Sequence, residues 1–187
     1  MSHIDSLKPT AYGKGAGKKF ADLLSDIQRL VGGTLPELLV SILSQFNGAS
    51  LSFETSVVFK PNVPSPWDRK SNGTQSLETL FGLNKDKTGL AANYKRYGQR
   101  VPRGVLPIGE APGGNLICLA IDGPKKNQVF LWDHENESTI TGESSSDYQN
   151  MFQIAKSFDD FVAALYPEPP HPVATDGIVD AWLADDL

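Results

Sequence analysis

Three apolar runs constrain this chain more than any other feature: Val105 to Ile108, Leu116 to Ile121 and Val129 to Trp132, separated by EAPGGN and DGPKKNQ. Runs this short, bounded by Gly and Pro, read as strands, and both separators are turn material. They predict an antiparallel meander with Lys125 and Lys126 at an exposed hairpin tip. The third run leads into Trp132, Asp133, His134 and Glu135, a cluster that can be read as a strand end or as a site.

The flanking sequence supplies helices. Phe20, Leu23, Leu24, Ile27, Leu30 and Val31 recur on one helical face that Gly32-Gly33 ends. Thr34 stands where a cap would start a second helix, with Leu35, Leu38, Leu39, Ile42, Leu43 and Phe46 as its apolar face and Asn47-Gly48 as its stop. Leu51 to Phe59 suggests one or two strands, Leu77 to Leu83 a short one, and Leu90, Ala91, Tyr94 and Tyr97 a weaker helix. Residues 60–76 read as a long loop, as does the stretch after Glu135. Phe152 through Leu165 predicts a last helix in the second half of that span, started by Ser157 with Asp159 and Asp160 behind it. Residues 1–17 are polar and glycine-rich and predict a flexible arm, 18–166 one globular domain, and 167–187 a proline linker with an acidic tail. In that tail Ile178, Val179, Trp182 and Leu183 have near-helical spacing.

A length of 187 residues suits one core, and 40% hydrophobic residues can fill it. Lys and Arg number 17 against 22 Asp and Glu, a net charge of -5, which argues against binding nucleic acid through its phosphates and favours a basic protein partner. The only cysteine, Cys118, lies inside an apolar run, so it reads as a packed hydrophobe in a reducing cytoplasm. No stretch is apolar enough for a signal peptide or a membrane span.

Chemistry is sparsely encoded. GKGAGKK at 13–19 lacks the first glycine and the hydroxyl of a phosphate loop. His3, His134 and His171 are scattered and Cys118 has no thiolate partner, so neither a metal nor another cofactor is expected. Without an exposed cysteine or a G-x-S-x-G elbow, no nucleophile stands out. On a strand, Asp133 and Glu135 would point one way and His134 the other. An acid pair beside an imidazole can do general acid-base work, although charged residues at a solvated strand end are routine and Trp132 is expected to pack.

Taken together, Leu35-Pro36, Phe46-Asn47-Gly48, Leu106-Pro107-Ile108-Gly109, Gly113-Gly114-Asn115, the run to Leu119, Val129 to Glu135, and Ser157-Phe158 with Phe161 resemble the SUKH superfamily, also called the Smi-one/Knr-four family. The resemblance spans about residues 20–166, with Asn115 where many members carry Asp, which fits a hydrogen-bonding turn role. It implies an α+β fold, with helices packed on a twisted antiparallel sheet, and a non-enzymatic binding role with no catalytic residues. Bacterial members of this kind are immunity proteins that neutralise a cognate toxin, often a nuclease. A regulatory scaffold or adaptor of the same fold, binding a cellular protein, is the other role it allows. On the immunity reading, the partner is a toxin domain met in the cytoplasm, with no membrane and no direct nucleic acid contact. Loops 60–76, 122–128 and 133–147 are then the candidate contacts, and Glu110, Asp122, Asp133 and Glu135 the steering charges.

Overall fold

The computed structural model describes residues 3–61, 73–135, 148 and 150–169. The meander is present as β6 (Val105–Glu110), β7 (Leu116–Ala120) and β8 (Val129–Trp132), paired antiparallel. Every residue of β7 and β8 is buried, which explains why the runs are continuous: both faces of these strands are covered. The sheet extends on one side through β9 (Met151–Ala155) and on the other through β5 (Thr79–Leu80), β2 (Ser50–Phe53) and β1 (Pro9–Tyr12), in the order β1-β2-β5-β6-β7-β8-β9. A second sheet has the order β10-β3-β4, from Tyr166–Pro167, Val57–Phe59 and Gln75–Leu77.

Among the described residues five α-helices join them: α1 (His3–Ser6), α2 (Phe20–Val31), α3 (Glu37–Gln45), α4 (Leu90–Tyr97) and α5 (Phe158–Ala163). α4 lies against β6, while α5 touches β9, α1 and α3. Phe161 of α5 meets Phe59 of the small sheet edge-on, ring centroids 5.4 Å apart, so α5 ties the two sheets into one core. The α+β expectation holds.

Two family-signature turns show why their residues are needed. After α3, the Gly48 N–H donates to the Leu43 carbonyl (2.6 Å), with Asn47 at φ 51° and Gly48 at φ 72°, a left-handed helix stop that β-branched residues resist. In β6, Pro107 has no N–H, and the register slips between Pro107 and Gly109. The skipped Ile108 carbonyl accepts from the Phe81 N–H (2.8 Å), and a Cβ on Gly109 would sit 2.6 Å from the Thr79 carbonyl oxygen. Pro107 is thus tolerated inside a sheet because the neighbouring strand β5 ends before reaching it.

Four expectations need correcting. Residues 1–17 are not a free arm: Ile4 and Leu7 are buried, the His3 ring bonds the Leu165 carbonyl (2.8 Å), and β1 pairs with β2 along its whole length. The boundary at 167 falls inside β10, and the Glu168 N–H still bonds Ser56; residues 170–187 lie outside the described residues. The last helix starts where expected, after Ser157, whose hydroxyl caps the Asp160 N–H (3.0 Å), and residues 151–155 ahead of it form strand β9. Thr34 caps nothing, because α3 starts at Glu37 behind Pro36, whose fixed φ suits that entry. The predicted 77–83 strand is two short strands, β4 and β5, that belong to different sheets.

Candidate interaction surface

The end of the meander where β6 hands over to β7 and where β8 stops is built from three turns. Pro112–Gly114 forms a single 3-10 turn, with Gly113 at φ 77° and Gly114 at φ 85°, and delivers Asn115 buried beneath the chain leaving β8. Asn115 Oδ1 accepts from the His134 backbone N–H (3.2 Å), which identifies the atom as oxygen. His134 Nδ1, 3.0 Å from the same atom, must therefore donate, leaving Nε2 as the acceptor of the neutral ring. Gly114 lies under that imidazole: a Cβ there would come within 3.5 Å of it. The hydrogen-bonding turn role expected for Asn115 is what the geometry shows.

Asp133 corrects the sequence reading. It is 1% exposed, and its Oδ1 accepts from the Glu135 N–H (3.0 Å), while its backbone carbonyl accepts from Asn150 Nδ2 (2.8 Å). A buried carboxylate spent on its own chain is a structural brace and a poor steering charge. β8 ends at Trp132, so the alternation expected of residues 133–135 does not apply. Trp132 is packed as expected, 5.9 Å from the Tyr97 ring with the Arg100 guanidinium 4.9 Å over its face. Cys118 is fully buried, which pushes its thiol pKa up and keeps the nucleophilic thiolate away.

The predicted steering residues do not share one surface. Glu110 and Glu135 stand at this end, half-buried and exposed respectively, whereas Asp122 is exposed at the opposite end of β7, beside the 123–128 turn. The 122–128 turn and residues 133–135 are therefore separated by the length of the strands, and residues 62–72 and 136–147 lie outside the described residues. The structure adds two acids that sequence reading missed, Glu54 and Glu78, which line a shallow cleft of about 340 Å³ closed by Pro112. The Glu78 N–H donates to the Glu110 carbonyl (2.9 Å), fixing Glu78 beside that strand end. Glu54, Glu78, Glu110 and Glu135 thus follow one rim, joined by the Pro112–Gly114 turn. Only pairing between β5 and β6 places Glu78 there, and no local pattern announces a two-residue strand.

The remaining signature residues shape the frame. Leu35 is buried and its N–H is held by Gln28 Oε1 (3.1 Å), Pro36 opens α3, and Phe46 packs on the core. Residues 21–164, which hold all of them, match the SMI1 / KNR4 family (SUKH-1). This chain belongs to that family. The SUKH-1 chain is also similar to the SPbeta prophage-derived uncharacterized protein YokK of Bacillus subtilis (strain 168), 34% identical over 172 residues, covering 88% of this chain and 84% of that protein. Among the described residues of this SUKH-1 protein, no helix is long and apolar enough to cross a membrane.

Proposed function

We propose that this SUKH-1 protein is a non-enzymatic binding module that acts in the cytoplasm as an immunity protein, occluding a cognate toxin domain of basic, nuclease type. The observation that carries the reading is the acidic rim of Glu78, Glu110 and Glu135, whose backbone is held at the turns of the β6–β7–β8 meander, continued by Glu54, which pairs with Lys8 at 4.0 Å. A cluster of carboxylates on a well-held backbone raises the encounter rate with a basic active site and disfavours neutral or acidic partners. The His134 ring, tied to Asn115 and backed by Gly114, adds a shaped surface beside those charges. The prophage origin of the Bacillus subtilis relative is compatible with such a role.

The test is co-expression with the toxin domain encoded beside this chain. The two should co-purify and cells should survive. Replacing Glu78, Glu110 and Glu135 together by Lys should slow association about tenfold at low salt, with the difference fading as ionic strength rises. Survival without complex formation, or no rescue from any neighbouring toxin, overturns the reading.

A further inference from the structure

A groove of about 870 Å³ runs between α2 and α4, floored by Leu23, Ile27, Leu30 and Ala91 and rimmed by Arg29, Lys85 and Lys95. Leu30 is 41% exposed there, one of two large hydrophobic side chains left open among the described residues. The rim belongs to a wider basic stretch: from Lys85 to Gly109 the sequence carries Lys85, Lys87, Lys95, Arg96, Arg100 and Arg103 against one acid, Asp86, whose carboxylate accepts from the Lys14 N–H (3.3 Å). Asp26, the acid in the groove, is paired with Arg29 at 3.1 Å, which leaves Lys85 and Lys95 to set the sign of the site. An apolar floor between cations, in a protein of net charge -5, fits an acidic amphipathic segment.

The chain carries such a segment. Residues 170–187 hold Asp176, Asp180, Asp185 and Asp186 and no Lys or Arg, and Ile178, Val179, Trp182 and Leu183 fall on one face at helical spacing, with Asp176 and Asp185 on its two flanks. We propose that the α2–α4 groove is the docking site of this C-terminal segment, with Trp182 and its apolar neighbours on the Leu23–Leu30 floor and its aspartates facing Lys85 and Lys95. Reach permits it. The last described residue is Pro169, and the nine steps from there to Ile178 span roughly 30 Å extended. The other groove on α2, shared with α3, is lined by Glu37 and no base, so charge favours the α2–α4 groove for an acidic segment.

The test is hydrogen exchange on the full chain, read on residues 176–187 and on α2 and α4. In the unaltered protein the amides of 176–187 should exchange about tenfold or more slowly than an unstructured chain. Trp182→Ala, or Lys85→Glu with Lys95→Glu, should abolish that protection while circular dichroism stays unchanged. Adding Asp176→Lys and Asp185→Lys to the double reversal should restore it. Free exchange of 176–187 in the unaltered chain overturns the proposal, as does protection that ignores the charge reversal. Protection that grows with protein concentration also overturns it, assigning the groove to the tail of a second copy.

Discussion

The two ends of the β6–β7–β8 meander are closed by different means. At the Ile121–Gln128 end the turn holds itself with backbone bonds: Asn127 N–H to the Ala120 carbonyl (2.7 Å), Ala120 N–H to Gln128 (3.0 Å) and Lys126 N–H to Gly123 (3.1 Å). At the other end side chains make the closure, through Asn115 to His134, Asp133 to Glu135 and Asn150 to Asp133. A turn closed by its backbone constrains little of its sequence beyond a positive φ. One closed by buried side chains fixes residue identities, and the surface it presents is correspondingly reproducible, as recognition requires.

This contrast can be broken or sharpened experimentally. The largest effect should come from Asn115→Leu, which strands the His134 N–H and imidazole against an apolar group; about 2–3 kcal/mol of unfolding free energy should be lost in urea titration. Asn115→Asp, which keeps an acceptor, should stay within about 1 kcal/mol of the parent. If both variants unfold alike, the closure does not depend on that acceptor. Asp133→Ala should cost about 1–3 kcal/mol by freeing the Glu135 N–H, and a negligible cost would make Asp133 a surface charge after all.

A smaller effect concerns pH. Burial raises the Cys118 pKa, so between the unfolded value near 8.5 and the higher folded one the folded state holds the extra proton. Stability is then fully present below about pH 8.5 and declines as pH rises above it, and Cys118→Ala should remove that part of the slope. The smallest effects belong to the backbone-closed turn. Asn127 sits at φ 71°, so Asn127→Gly should change stability by no more than about 1 kcal/mol. Asp122→Ala should leave both stability and toxin association unaltered, whereas an association defect would return the 122–128 tip to the interface.

What could be read from sequence followed the length of each signal. The meander and α2 were legible because five or six apolar positions reinforce one period, and Ser157 was legible as a cap because its hydroxyl acts locally. The segment His3–Tyr12 was missed because a one-turn helix and a four-residue strand show no period, and Ile4 and Leu7 find their partners far along the chain. Strand β9 was not foreseen because its apolar residues run on into those of α5, and only pairing with β8 separates the two. At the candidate surface, Asn115 and Glu110 could be found as turn residues. The burial of Asp133 could not, because it goes with a contact from Asn150, 17 residues along the chain.

The pairing of Pro9–Tyr12 with Ser50–Phe53 matters for anyone producing this protein. β1 forms the sheet margin, opening with a proline that offers no N–H and leaving three of its four residues exposed. A shortened version starting at Lys18, the boundary that periodicity alone suggests, would uncover the β2 backbone together with the apolar side chains that Ile4 and Leu7 cover. Such a product should precipitate or self-associate on expression, so an affinity tag belongs ahead of His3 and not in its place.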